Sequence, residues 1–205
     1  HRSLARANVG NDRSLERLAT GKRINRASDD PGGAVAVAQI KPELASIRGK
    51  LAALDQEESY LGARDGAAGV FGDLVLDLQG LVVRAANGGT LSVAEREGLQ
   101  VEADSILKAF DFLALTTRYK GQQIAGGFQA AQSGRREVTL TNAAGEAAQV
   151  AVSLADLARG GKLNLIDGDL ETADAVIRSV AAGFATGRAA VGARLREIGP
   201  QRAGA

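Results

Sequence analysis

The stretch LERLATGKRINRASDDPGG, residues 15–33, decides how the N-terminal part of the chain folds. Gly21 suits the end of a preceding helix, because glycine adopts a left-handed conformation without strain. Asp30 and Pro31 predict the start of the next helix: an acidic N-cap, then a proline where its missing N–H costs nothing. The stretch therefore predicts a helix, a connector running from basic to acidic residues, and a second helix. On physical grounds alone it is equally compatible with an ordinary interhelical loop.

From Pro31 to about Ala86 the sequence predicts one very long helix. Apolar residues recur at three- and four-residue steps, the spacing of one helix face: Leu44, Ile47, Leu51, Leu54, Leu61, Phe71, Val75, Leu78 and Val82. Pro42 either kinks this helix or marks its true start. Four glycines lie at similar intervals: Gly62, Gly66, Gly69 and Gly72. They indicate either close approach of another helix along that edge or a locally weak, bent helix.

A second helix and a β-hairpin are predicted after the long helix. Asn87-Gly88-Gly89 ends the long helix, and Ser92 with Glu95 has the spacing of a capping box, so a helix is expected over about 92–117. Alternation of Val, Leu and Thr predicts a β-hairpin over about 136–154, with a turn at residues 142–145. A two-stranded hairpin is marginal in water, so it is expected to pack on the helices.

The last helix, over about 169–198, has the clearest pattern. An apolar residue stands at every seventh position: Leu170, Ile177, Phe184, Val191 and Ile198. Ala173, Val180 and Gly187 occupy the complementary positions, which Arg194 interrupts. Such a repeat predicts a seam for another helix. The predicted fold is therefore mainly α, an elongated antiparallel helical bundle or coiled-coil rod with a small β-hairpin. Residues 1–30 form the end of a first helix and the connector, 31–198 the core, and 199–205 a tail.

The composition argues against an enzyme. The chain lacks cysteine, and its one histidine is His1, so no interior Ser-His or Cys-His pair can form. Gly21-Lys22 lacks the other residues of a phosphate-binding loop. Basic and acidic residues nearly balance, 25 against 24, which disfavours nucleic-acid binding, and the basic stretch 188–196 is expected to be a solvated helix face. With no continuous apolar run of about 18 residues, we expect no membrane insertion. No metal or cofactor is expected.

Several segments resemble bacterial flagellin in the order found in that family. They are the connector at 15–33, the long-helix ending from Asp65-Gly66-Ala67 to Ala86-Asn87-Gly88, the segment Arg118–Ile124, and Arg188–Ala193. The resemblance implies the flagellin core, with most of the family's terminal helices and variable outer domains missing. It implies an extracellular structural subunit of the flagellar filament, exported by the flagellar type III apparatus. Its partners would be further copies of itself, junction and cap proteins, and an export chaperone.

Two alternatives remain at this point. The segments Ser28–Pro31 and Asn87–Ser92 look at least as much like the hook–filament junction protein, whereas Arg118–Ile124 is closer to flagellin. The alternative from another class is an unrelated secreted coiled-coil adhesin or adaptor.

The resemblance also implies site residues. Arg23, Asp29 and Asp30 are expected at subunit contacts, although capping of its own helix is the alternative role of Asp30. Flagellins are recognised by an innate-immune Toll-like receptor through the long helix and its neighbour, and alignment on Ala86-Asn87-Gly88 places receptor-facing positions at Asp77, Leu81 and Glu102. Asp77 stands where stimulatory flagellins carry arginine. We therefore expect weak or absent receptor activation.

Overall fold

The computed structural model describes residues 2–23, 25, 30–89, 91–125, 128–130, 132–141 and 147–204. Within these ranges the helices are α1 (Arg2–Thr20), α2 (Pro31–Ala86), α3 (Val93–Thr116) and α4 (Leu170–Ala203). Strands β1 (Arg118–Tyr119) and β2 (Gln122–Gln123) form one antiparallel pair, and β3 (Arg136–Thr141) and β4 (Ala147–Val152) another. A 3₁₀ helix follows at Leu154–Leu157. The predicted mainly-α class with a small β-hairpin is confirmed.

Contacts divide the chain into two compact units. The first comprises His1–Asp55 with Gly204–Ala205, and the second comprises Gln56–Ala203. The division falls inside α2, between Asp55 and Gln56, rather than near residue 30 where the sequence placed a boundary. The physical reason is that α2 begins as a hydrogen-bonded helix at Pro31, whereas the packing that defines the second unit begins at Gln56.

The first unit consists of α1, the connector and the first part of α2. Gly21 has a φ of +64°, the left-handed conformation expected after the end of α1. Helix α2 is continuous through Pro42 from Pro31, so Pro42 does not mark its start. Large apolar side chains of this unit lie on the surface, among them Leu18, which is 81% exposed.

The hydrophobic core lies in the second unit, where α2, α3 and α4 bury their apolar stripes. Four of the five phenylalanines meet there, with neighbouring ring centroids 4.8 to 6.2 Å apart: Phe71, Phe110, Phe128 and Phe184. Aromatic contacts of this kind add to the free energy gained from burial. Four of the five heptad residues of α4 are buried, Ile177, Phe184, Val191 and Ile198, which confirms the predicted seam.

Several sequence-based boundaries need correction. Helix α4 continues to Ala203, so the predicted tail from residue 199 is wrong; Pro200 removes one helical hydrogen bond but does not end the helix. Leu154 starts the 3₁₀ helix and is not a strand residue. The hairpin pairs Arg136 with Val152 and Thr141 with Ala147, while the predicted turn at 142–145 lies outside the described residues.

The four spaced glycines of α2 do not receive another helix of this chain. A Cβ built at Gly62, Gly66, Gly69 or Gly72 would meet nothing within 4 Å. The expectation of close helix approach is therefore wrong within the described part of one chain.

The turn between β1 and β2 was not predicted from the sequence. Lys120 and Gly121 have φ values of +48° and +83°, as a two-residue type I′ hairpin turn requires. Tyr119 of β1 packs edge-to-face on Tyr60 of α2, with ring centroids 5.7 Å apart. This contact attaches the short hairpin to α2.

Candidate functional site

The structure describes two of the three connector residues expected at subunit contacts, Arg23 and Asp30. Asp30 caps α2, because its Oδ1 accepts a hydrogen bond from the backbone N–H of Gly33 at 2.9 Å. Its Oδ2 lies 3.5 Å from a guanidinium nitrogen of Arg23, whose side chain is 80% exposed. Asp29 lies outside the described residues. The capping role of Asp30 is thus observed, and subunit contacts by this group remain a prediction.

Of the three residues predicted to face the receptor, two are exposed in the structure and one is buried. Asp77 and Glu102 are exposed on the walls of a groove between α2 and α3. Glu102 pairs with Arg84 of α2 at 3.4 Å. Leu81, however, is 1% exposed and belongs to the hydrophobic core. This burial leaves Leu81 inaccessible in the described fold, which conflicts with its predicted receptor-facing role.

Three ion pairs join α2 to α4 in the second unit, with every acid on α2 and every base on α4. Arg194 donates from Nε and Nη2 to the two carboxylate oxygens of Glu57, at 2.6 and 3.1 Å. The other two pairs, Asp65–Arg188 and Glu58–Arg202, are each 3.0 Å apart. Arg188 and Arg194 lie on a solvated helix face, as predicted for the stretch 188–196, with side chains 52 and 38% exposed, and in addition pair with acids of α2.

Hydrogen bonding shifts the pKa values of Glu57 and Arg188 in the directions that favour their charged forms. The hydrogen bond from Arg194 lowers the pKa of the Glu57 carboxyl below 4.5, against a smaller opposing effect of burial. The hydrogen bond to Asp65 likewise raises the pKa of Arg188. The side chains of both pairs are 35 to 52% exposed, so the pairs fix the alignment of α2 and α4 more than they add stability.

A buried glutamine organises the loop before α4. Gln100 is 0% exposed, and its Nε2 donates to the carbonyl of Leu157 at 2.9 Å and to Oδ1 of Asp104 at 2.8 Å. Its Oε1 accepts from the backbone N–H of Leu165 at 2.7 Å. Sequence reasoning missed Gln100, since a glutamine on an amphipathic helix carries no signal that it will be buried.

No catalytic arrangement or metal-binding group emerges from these contacts. Across the described residues, no cluster of three or more His, Cys, Asp or Glu side chains is positioned to hold a metal ion. By length and composition alone α2 would be able to cross a membrane, with an 18-residue window of mean hydropathy 1.5 that is one-third buried in the fold. The core helix of a soluble protein passes the same test, and α2 provides core residues of the second unit. The absence of membrane insertion stays a prediction.

Comparison with known proteins identifies the family. Residues 1–130 match the model of the bacterial flagellin N-terminal helical region. Flagellin FlaB2 of Treponema pallidum is 25% identical over 138 residues, covering 67% of this chain and 48% of that protein. Polar flagellin F of Vibrio parahaemolyticus is 27% identical over 139 residues, covering 68% of this chain and 36% of that protein.

The solved structures contain a similar fold. The crystal structure of Bacillus cereus flagellin matches with a TM-score of 0.54 and 22% identity, covering 76% of this chain and 89% of that one. The chain spans about half the length, or less, of the curated relatives it matches. Because the family model covers more than half of the chain, and a flagellin of known structure has the same fold, the chain belongs to the bacterial flagellin family.

Proposed function

We propose that this chain is part of a structural subunit of the bacterial flagellar filament. The observation that carries the proposal is the exposed apolar surface of the first unit: none of its described side chains is buried, whereas the second unit has a buried core. Seven large apolar side chains of α1 and of α2 before residue 45 are 42 to 81% exposed: Val9, Leu15, Leu18, Val35, Val37, Ile40 and Leu44. Exposed apolar surface on this scale is typical of protein–protein contacts.

Burial of this surface between subunits would drive assembly. Each apolar side chain removed from water contributes roughly 1.5–3 kcal/mol if its burial is complete. A head-to-tail contact that repeats under a helical operator without closing produces a fibre. On this account the chain is an extracellular filament component, reaches the cell surface through the flagellar type III apparatus, and meets junction proteins, cap proteins and an export chaperone on the way.

Charge substitution in the first unit tests the proposal. In the whole protein that contains this chain, Leu15→Asp with Leu18→Asp should abolish filaments in electron micrographs, because two charges would enter an apolar contact. Val93→Asp is the matched control, since Val93 is 70% exposed but lies at the start of α3 in the second unit. Filaments of wild-type length from the double variant would reject assembly through this surface.

The connector gives a second test of the same function. Arg23→Ala with Asp29→Ala leaves the Asp30 cap in place and should shorten filaments if the connector contacts neighbouring subunits. Unchanged filament length would show that the connector serves only its own chain.

Filament assembly is favoured over the two alternative functions. The relatives described above are flagellins, as is the structural neighbour, whereas none of these is a junction protein. An unrelated adhesin or adaptor would not match the flagellin family model over 130 residues.

We further infer weak activation of the Toll-like receptor that recognises flagellins. Asp77 is an exposed acid where the resemblance places an arginine, and Leu81 is not accessible. A reporter-cell assay should show little signal from the wild-type chain and more from Asp77→Arg. Potent activation by the wild-type chain would contradict the inference.

A further inference from the structure

Helices α2 and α4 each carry an outward row of residues, most of them small, and a Cβ added at the glycines of the α2 row would meet nothing within 4 Å. On α2 this outer face consists of Gly62, Gly66, Gly69, Asp73 and Leu76, and on α4 it consists of Ala175, Arg178, Ala182, Ala185 and Ala189. All ten residues are exposed or half-buried. Leu76 is 59% exposed and also lines the edge of the groove between α2 and α3.

The five outer-face residues of α2 form one stripe and the five of α4 form another, and both stripes point to the same side of the second unit. Gly62 and Leu76 directly follow the buried Leu61 and Val75, and a step of one residue turns a helix by about 100°. Arg178 and Ala185 follow the buried Ile177 and Phe184 in the same way. Because α2 and α4 run antiparallel, as their ion pairs show, the same step along each chain turns both stripes to one face.

The stripes match each other in spacing and in chemistry. Along α2 the intervals are four, three, four and three residues, and along α4 they are three, four, three and four, the same series read in the opposite direction. Laid antiparallel, glycines meet alanines, Leu76 meets Ala175, and Asp73 meets Arg178 with the opposite charge. Arg178 also pairs with Asp174 of its own helix through Nη2, at 2.6 Å, which leaves its other guanidinium donors for Asp73. Small residues permit two helices to approach closely, and the acid–base pair fixes which ends meet.

The same register already exists inside the chain. Glu57 of α2 pairs with Arg194 of α4, and five residues forward from Glu57 and five back from Arg194 lie Gly62 and Ala189. A second copy related by a two-fold axis parallel to the helices, with almost no lengthwise shift, therefore brings the two outer faces together in this register. The two-fold operation presents α4 of the copy to α2 in the antiparallel orientation.

We propose that the outer face binds the outer face of a second copy of this chain, so that α2 of each copy packs on α4 of the other. In such a dimer, α2 and α4 of the two copies form an antiparallel four-helix arrangement. Asp73 of each copy then pairs with Arg178 of the other, which gives two ion pairs. Each helical glycine costs about 1 kcal/mol relative to alanine, and at Gly62, Gly66 and Gly69 no contact of the chain within 4 Å requires a missing side chain. The two-fold contact is closed, so it differs from the open contact by which a filament grows and goes beyond the proposed function.

Disulfide trapping tests the pairing directly, because the chain contains no cysteine. Full chains carrying Gly66→Cys and full chains carrying Ala185→Cys are oxidised separately and as a mixture. A covalent dimer that forms mainly in the mixture is expected, since the thiol introduced by Gly66→Cys in one copy would face the thiol introduced by Ala185→Cys in the other. Gly98→Cys replaces Gly66→Cys in the control mixture, because Gly98 is an exposed helical glycine on α3.

A steric variant gives a second, non-covalent measurement. By sedimentation equilibrium, Gly66→Leu should raise the dimer dissociation constant roughly tenfold or more, since the added side chain overpacks the contact. Gly98→Leu should leave it unchanged. Equal cross-linking in the two mixtures, a wild-type chain that stays monomeric at all concentrations, or equal effects of the two leucines would each overturn the proposal. Filament formation by the whole protein is scored separately, so failure here leaves the filament function standing.

Discussion

Replacement of Gln100 by leucine tests whether the core of the second unit depends on one buried polar side chain. Leucine approximates the volume of glutamine but removes its three hydrogen bonds. The carbonyl of Leu157 and the backbone N–H of Leu165 lose their bonds to this side chain, at 2.9 and 2.7 Å in the wild type. Both backbone groups lie beside the fully buried side chain of residue 100, so water cannot readily replace the lost hydrogen-bond partner.

The expected loss follows from the number of groups left unsatisfied. Each buried donor or acceptor without a partner costs roughly 1–3 kcal/mol, so two such groups predict a loss of roughly 2–6 kcal/mol. Asp104 retains the N–H of Arg159 at 2.9 Å and is not left without a partner. The damage is therefore expected in the loop between β4 and α4 and in the adjoining turns of α3.

Hydrogen exchange resolved by residue segment is the appropriate assay, since a chain with two compact units need not unfold in one step. A loss of 2–6 kcal/mol accelerates exchange in residues 154–168 by a factor of roughly 30 or more. Gln79→Leu is the matched control, because Gln79 is half-buried on α2 and makes one long bond, 3.4 Å, to Asp174. Equal acceleration by both variants, or none by Gln100→Leu, would refute the role assigned to Gln100.

Three further predictions concern a turn, a cap and an ion pair. Lys120→Asn should stabilise the β1–β2 hairpin by about 1 kcal/mol, since asparagine tolerates the φ of +48° better than lysine; faster exchange at Tyr119 would contradict this. Ser92→Ala should cost α3 about 1 kcal/mol, seen as roughly fivefold faster exchange in its first turn, and an unchanged rate would reject the capping box. The pKa of Glu57 is lowered in the folded chain, so its contribution to stability is present above pH 4.5 and is lost as pH falls through the lowered value. An NMR titration of its carboxyl carbon should show a midpoint below 4.5 that rises in Arg194→Ala, and a midpoint at or above 4.5 in the wild type would exclude the pair.

Much of the helical fold follows from local signals in the sequence. Ser92 and Glu95 form the predicted capping box, with the N–H of Ser92 bonded to the Glu95 carboxylate at 2.7 Å. The seven-residue repeat of α4 is buried as expected, because an apolar helix face in water is stabilised by packing against other apolar residues. These features depend on residues near one another in sequence, which is why sequence reasoning reaches them.

Features that depend on long-range packing were not accessible in the same way. Gln100 is buried against a loop more than 50 residues away, and the burial of Leu81 depends on the packing of the core as a whole. Arg194 interrupts the heptad repeat in sequence, yet in the fold it pairs with Glu57 across 137 positions. A repeat pattern predicts which face is buried, but not which charges will meet across it.

Electron microscopy of the whole protein, purified and at the cell surface, tests the central claim most directly. We expect the purified protein to polymerise into helical filaments and antibodies to residues 56–203 to decorate flagella along their length. A protein that never polymerises, together with flagella that carry no label, would contradict it.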